Sequence, residues 1–372
     1  MVINILVNNI ICGIIFLESI MVYPGKLLEE KLELSGMTRK ELALRTGVTE
    51  KHISTVINGE RSISASFAKQ LGQVFDIPAQ DWVLKQFEYD SEQMEIAEKN
   101  EISSDEIKIL KNLATIEKYF IEKNLIKEYT DKNDRVLQLR AFLGVSNLTV
   151  IPNISYSAAY RAEVNTNAKV DPYVLFAWQI LCEKLTKDIE VNESLNVELL
   201  KNSVYRIKEL MMLDINEALI RLTNIFSSCG IAFKVVKNFR GAPVQGFIKK
   251  KENDKIILCL TIRRQRADSF WFTLFHEIAH VLNEDYNNRF VDFESKKSDI
   301  EQIADDFAAN VLIDKDKYKK FLSETENFDI SAIEKFADEN KVKPYIVIGR
   351  LQNDNFLEWS DFNDYIEKYM WA

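Results

Sequence analysis

The sequence predicts a mainly α protein with one small β element towards its C-terminal end. Three observations carry this. Helical segments stopped by glycine or capped by threonine follow one another from Pro24 to about residue 90. A stretch from 88 to 130 keeps apolar residues at helical spacing and contains neither proline nor glycine. Three short runs at 231–236, 246–249 and 256–262, rich in β-branched residues, then precede a long apolar helix. The expected domains are an apolar extension at 1–22, an all-α domain at 23–90 and a helical middle region at 91–213. An α+β domain with a small antiparallel sheet follows at 214–325, and a helical tail at 326–372 packs on it.

Composition bounds the function. The chain has 372 residues, of which 47% are hydrophobic, enough for two or three domains with cores of their own. Its net charge is -9, from 48 basic and 57 acidic residues, so the whole molecule is no general polyanion binder. Any nucleic-acid contact must come from a local patch. Cys12, Cys182, Cys229 and Cys259 lie far apart and form no Cys-x-x-Cys, which argues against a disulfide framework or a thiolate zinc site. That usage suits a reducing cytoplasm. The run 2–22 is apolar, but no Lys or Arg precedes it, Asn4, Asn8 and Asn9 interrupt it, and Glu18 lies near its end. It reads as an extension from an upstream start, ahead of a start at Met21, or as a short apolar arm, not as a membrane span or signal peptide, and a cytoplasmic protein is expected.

The first domain is punctuated clearly. Pro24-Gly25 opens a helix with Leu27, Leu28, Leu32 and Leu34 as its apolar side, and Gly36 stops it. Thr38 and Glu41 form a capping box for a second helix, and Gly47 makes the turn. Thr49 caps a third helix from Glu50 to about Ile57. Leu42, Ala43, Val48, Ile53, Val56 and Ile57 fall where a helix-turn-helix buries its core. A fourth helix runs from about Ala65 to Phe75, and a fifth starts after Pro78. Residues 24–88 resemble the helix-turn-helix domain of phage repressors, the Cro-like or XRE class. The resemblance is nearest to antitoxin-type members through Pro24-Gly25 and Pro78-Ala79-Gln80-Asp81-Trp82. It implies double-stranded DNA as a partner, with the third helix entering the major groove. Glu50, Lys51, His52 and Thr55 would face bases, and Arg39, Asn58 and Arg61 would meet phosphates. A carboxylate such as Glu50 is repelled by DNA except where it accepts from cytosine. A homodimer or a tethered assembly is expected to supply affinity.

Residues 88–130 show no chemistry and read as a helical spacer or a dimer surface. Between Pro152 and Pro172, Tyr156, Tyr160 and Arg161 are read as packing residues.

The most informative stretch is His276-Glu277-Ile278-Ala279-His280, which holds two of the chain's three histidines. On a helix, residues four apart project from one face, so both imidazoles can reach one metal ion. Glu277 beside them is placed to polarise a water at that metal. Ser269, Thr273, His276, Glu277, His280 and Glu284 form a polar stripe on an otherwise apolar helix. A catalytic site needs a third protein ligand. The remaining histidine, His52, belongs to the first domain, so the third ligand should be a downstream carboxylate. Glu284, Asp285, Asp292, Glu294, Asp299 and Glu301 are the rivals. Glu301 stands out on a helix whose buried face is Ile300, Ile303, Ala304, Phe307, Val311 and Leu312. Asp305, one turn on, could accept a hydrogen bond from the outer nitrogen of a ligating histidine. Ser298 and Glu301 also satisfy a capping box, the competing explanation for Glu301.

His276-Glu277-x-x-His280 followed by Glu301-x-x-Ala304-Asp305-x-Phe307-Ala308, with Arg264 to Leu274 ahead of it, resembles the ImmA/IrrE family of metallopeptidases. The resemblance covers about 215 to 350. It implies a zincin-like domain holding Zn²⁺ through His276, His280 and Glu301, with Glu277 as general base. It also implies cleavage of a repressor- or antitoxin-type regulatory protein. One departure is Val311-Leu312-Ile313-Asp314, where the family often has an apolar run ending in proline. In the zincin arrangement an edge strand pairs with the extended substrate backbone; here 256–262 or its neighbour is expected to be that strand. With no spare histidine to stabilise an oxyanion, Tyr286 or Arg263 is the expected substitute. The alternative is a non-proteolytic, antitoxin-like repressor whose peptidase-like domain senses metal or binds a partner.

Overall fold

A computed structural model of the chain describes residues 23–158, 162–164, 170–191, 194–251, 254–262, 265–285 and 296–370. The apolar run 2–22 lies outside these residues. No helix among the described residues is long and apolar enough to cross a membrane. The chain forms two compact units that divide between Ile102 and Ser103.

The first unit contains α1 (Pro24–Ser35), α2 (Arg39–Thr46), α3 (Glu50–Ile57), α4 (Ala65–Phe75) and α5 (Ala79–Asn100). Its helix starts follow the side chains that cap them. Thr38 Oγ1 accepts from the Glu41 amide at 3.1 Å, and Thr49 Oγ1 from the His52 amide at 3.1 Å. The expected capping box is only half made, because the Glu41 carboxylate turns to Arg45 instead of the Thr38 amide. Gly47 takes the left-handed turn between α2 and α3 at φ 71°. The core gathers Leu28, Leu42, Ile53, Val56, Phe67, Leu71 and Trp82. Leu34, expected on the apolar side of α1, is 82% exposed, because the helix has turned past the core by its last residues. Gly25 is required where it stands: a Cβ there would strike the Val56 carbonyl, so α1 and α3 touch backbone to backbone. The boundary expected at 90 falls inside α5, which continues to Asn100 without a break.

The second unit begins with α6 (Ser104–Glu122), α7 (Lys132–Leu143), α8 (Ile151–Ala158), β1 (Ala162–Val164) and α9 (Pro172–Leu185). It continues with α10 (Val197–Glu209), α11 (Ile215–Ser228), β2 (Ile231–Val235), β3 (Val244–Lys250) and β4 (Ile256–Leu260). Then come α12 (Ala267–Leu282), α13 (Lys296–Leu312), α14 (Lys315–Glu324), α15 (Ile330–Glu339) and α16 (Pro344–Asn353). The former middle region is thus no separate spacer. It belongs to the same compact unit as the sheet, and β1 is one of the sheet's strands. Two bidentate ion pairs tie α6 to α7. Arg140 donates to Glu106 at 2.9 and 2.6 Å, and Arg135 to Glu117 at 2.9 and 2.6 Å. The Leu148 amide also donates to Glu106 at 2.9 Å.

The sheet has the order β1-β3-β4-β2. It is mixed, not purely antiparallel as expected: β4 runs antiparallel to β3 but parallel to β2. Short strands in series suggest a meander, yet β4 inserts between the two strands that precede it. Burial explains the choice. All five residues of β4 are buried, whereas Lys234 of β2 is exposed and Val235 only partly buried, so the most apolar strand takes the centre. Of the two expectations for the substrate-pairing strand, 256–262 or its neighbour, the first is excluded, since β4 has a strand on each side.

One core joins α10, α11, the sheet, α12 and the C-terminal helices. The tail is helical only as far as Asn353 apart from a single turn at Asn363–Tyr365. Beyond that it straps the start of α12: the Ala267 amide donates to the Glu367 carbonyl at 3.0 Å and the Tyr369 amide to the Gln265 carbonyl at 2.9 Å. Trp271 Nε1 donates to the Tyr369 hydroxyl at 3.0 Å. Cys182, Cys229 and Cys259 are free and buried, and burial pushes the Cys182 and Cys229 thiols upward from their ordinary range.

Candidate metal centre

Helix α12 is buried around almost its whole circumference. Phe270, Trp271, Leu274, Phe275 and Ile278 supply the apolar contacts, packed by α13, β3, β4, α10 and α16. That packing leaves His276 2% exposed, Glu277 1% and His280 0%, so three polar side chains have been taken out of water and need compensation.

The two histidines find it on both sides of their rings. Their outer nitrogens are held by carboxylates: His276 Nδ1 lies 2.8 Å from Asp305 Oδ1, and His280 Nδ1 lies 3.1 Å from Asp285 Oδ2. With each Nδ1–H donating outward, each Nε2 keeps a lone pair pointing inward. The two Nε2 atoms are 3.0 Å apart, and Glu301 Oε2 lies 3.2 Å from one and 3.6 Å from the other. Three electron-pair donors from two helices thus converge on one point. His276, His280 and Glu301 form the cluster that could hold a metal ion among the described residues. Lone pairs at these distances repel unless a cation or a proton lies among them, so the donor set fits a divalent metal.

Glu301 sits in the second turn of α13, which begins at Lys296. A Ser298 cap on the Glu301 amide would require the helix to start after Ser298, so the competing explanation loses its geometry. Asp305 lies one turn on and faces the same way, as helical spacing requires.

Asp285 was a rival for third ligand on the sequence, and the structure puts it elsewhere. Asn283 ends α12, and Glu284 adopts a left-handed φ of 57°, which turns the chain back so that Asp285 meets His280 from behind. The helix-ending Asn283-Glu284 step was the available signal. Asp285 is 8% exposed. Asp285→Asn is expected to lower metal affinity about 10- to 100-fold, read by competition with a chromogenic chelator. Glu284 and Asp299 are exposed and are not part of the cluster, and Asp292, Glu294, Tyr286 and Arg263 lie outside the described residues.

Glu277 differs from its neighbours. Both of its carboxylate oxygens are buried and lack a hydrogen-bond partner among the described residues. The carboxylate lies against Gly246 of β3, where any Cβ would collide with it. A buried carboxylate without a protein partner is costly, and a water or an ion within reach would relieve that cost. Beside α12 and α13 opens a cleft of about 490 Å³ bordered by Gln245, Thr273, Asp305, Asp306, Arg350 and Trp359. Arg350 is structural in part: it donates to Asp354 at 2.8 Å and lies 5.1 Å over the Tyr318 ring.

The residues expected to face DNA are only partly free to do so. Glu50, Lys51, Asn58 and Arg61 are exposed. Arg39 instead donates to Glu29 at 3.2 Å. The His52 ring packs edge-on against Phe67 at 4.9 Å, and burial followed by the nearby Arg61 charge holds its pKa below the usual imidazole range. The Thr55 hydroxyl donates back to the His52 carbonyl at 2.9 Å.

The comparisons with known proteins follow this division. The family described as Helix-turn-helix matches residues 28–82, and the IrrE N-terminal-like domain, a peptidase family, matches residues 247–350. A similar curated protein is Virulence-associated protein A' from Dichelobacter nodosus, 30% identical over 103 residues, which span 27% of this chain and 85% of that protein. A similar solved structure is that of an addiction module antidote protein of a HigA family from Coxiella burnetii. It is 26% identical, covers 29% of this chain and 97% of its own, and has a TM-score of 0.19. The chain belongs to the helix-turn-helix family through residues 28–82 and joins to it, at residues 247–350, an IrrE N-terminal-like domain.

Proposed function

We propose that this protein is a DNA-binding regulator that carries a zinc-dependent endopeptidase directed at a repressor- or antitoxin-type regulatory protein. The observation that carries the reading is the buried, unpartnered Glu277 carboxylate beside three converging metal ligands. His276, His280 and Glu301 would hold the ion. A zinc ion there supplies a Lewis acid that lowers the pKa of water and polarises a peptide carbonyl. The protein's own groups do the rest. Asp305 and Asp285 orient the two imidazoles and keep their Nδ1 atoms protonated. Glu277, held by Gly246 without a competing donor, accepts the proton of the attacking water on a carboxylate oxygen. It then delivers that proton to the departing amine. The apolar packing around α12 excludes bulk water from this exchange.

The DNA-reading unit supports a regulatory target. Residues 24–88 carry nine basic and nine acidic residues, a neutral balance that gives one copy little non-specific hold on DNA. Two copies on paired half-sites would meet that need. Exposed Lys51, Asn58 and Arg61 are the groups placed to contact the duplex, with Glu50 accepting from a cytosine.

The reading is tested first by metal analysis. Purified protein is expected to retain about one zinc per chain, and His280→Ala to lose it. Zinc-loaded protein is then incubated with the products of neighbouring genes, where one defined cut is expected. Bound metal without any cut would favour a metal-sensing repressor instead.

A further inference from the structure

The strand that abuts Glu277 is β3, since Gly246 lies against the carboxylate. β3 is antiparallel to β4 on its inner side. Its outer side would be the free edge of the sheet's three longer strands, yet it is taken. β1 lies along it antiparallel, pairing Ala162 with Phe247 and Val164 with Val244, and so brackets Gln245 and Gly246. Gln245 also borders the cleft beside the metal cluster. An extended polypeptide therefore already runs along the edge of the strand that contacts the proton-accepting carboxylate.

A strand edge is a row of unpaired amides and carbonyls, and an extended peptide adds to it by main-chain hydrogen bonds. We propose that β1 is a built-in occupant of the position an incoming substrate backbone must take. The inference rests on the peptidase reading. The pairing is shaped for exchange: β1 has three residues and a register shift within them, whereas β3 and β4 pair through five successive residues. A two-stranded pairing this short is marginal by itself. Its persistence comes from the tether, because β1 is covalently joined to the helices on either side. A tethered segment competes at an effective concentration on the order of millimolar, so a free peptide at micromolar concentration is held off. The partner able to displace it is an extended polypeptide presented at comparable local concentration, for instance on a regulator bound beside this protein on DNA.

The test is a binding measurement on the zinc-loaded Glu277→Gln protein, which holds a peptide without needing to cut it. The probe is a fluorescent synthetic peptide with the sequence of residues 158–168. Glu163→Pro places a proline between the two paired residues of β1 and disfavours the strand. A162G/E163G/V164G is the second variant, which loosens the strand without a proline. Both are expected to bind the probe at least tenfold tighter than the parent. Hydrogen exchange at the Gly246 amide, which the β1 pairing brackets, is expected to quicken in both variants and to slow again on adding probe. Equal probe affinity in parent and variants, once that amide has been deprotected, overturns the inference. So does the absence of protection at Gly246 in the parent. Either result with zinc still bound leaves the peptidase reading standing, whereas absence of zinc or of any cut by the wild type fails the peptidase reading itself and the inference with it.

Discussion

Glu277→Gln is expected to cut the rate of proteolysis by about 10²- to 10⁴-fold, with zinc content unchanged. The substitution is close to isosteric, so the amide fits against Gly246 as the carboxylate does, and the cluster of His276, His280 and Glu301 is not touched. What is lost is the ability to accept a proton from water, a function the two neighbouring histidines cannot assume. His276 and His280 commit their Nδ1 atoms to Asp305 and Asp285, and their Nε2 atoms face the cluster. The measurement is single-turnover cleavage of the identified protein target, with metal quantified on the same sample. Activity equal to wild type in every regulatory readout would remove proteolysis from the function.

Arg140→Ala is expected to destabilise the second unit by about 3–5 kcal/mol, the cost of leaving a buried charge without its partner. Glu106 is 0% exposed and depends on Arg140 and the Leu148 amide for its hydrogen bonds. Burial alone would raise the Glu106 pKa, but the guanidinium and the backbone amides outweigh it and hold the carboxyl below its ordinary range. A depressed carboxylate pKa stabilises the fold above the unfolded-state value, and that contribution is lost as pH falls through the folded-state value. In the variant the sign reverses, because an unpaired buried carboxylate gains by protonation. The stability gap between wild type and Arg140→Ala should therefore narrow as pH falls from 7 towards 4, followed by urea denaturation. A constant gap would mean that Arg140 acts through packing alone. Replacing Glu106 and Arg140 together by leucine and methionine should cost less than Arg140→Ala.

The parts of the site that could be read from the chain are those set by local periodicity. His276 and His280 share a face because four residues make about one helical turn, and the same rule relates Glu301 to Asp305. Helix starts in the first unit were readable for a similar reason, since Thr38 and Thr49 cap amides only three residues away. Scarcity of histidine narrowed the third ligand to carboxylates without choosing among them.

Other features depend on which distant segments meet. That Asp285 would hold His280 and not join the cluster was decided by one left-handed residue after α12. That β4 would be central, and one strand pairing parallel, was decided by burial on both sheet faces, which spacing along the chain does not encode. Nor does the sequence announce that a glycine on β3 would make room for Glu277, or that Glu106 and Arg140, thirty-four residues apart, would meet in the core. Turn chemistry and helical period act within a few residues, so His276-Glu277-x-x-His280 was legible from the chain alone. The groups that hold its rings, leave its glutamate unpartnered and lay a strand along its edge come from long-range packing. That packing is a competition among all buried surfaces, which only the folded chain resolves.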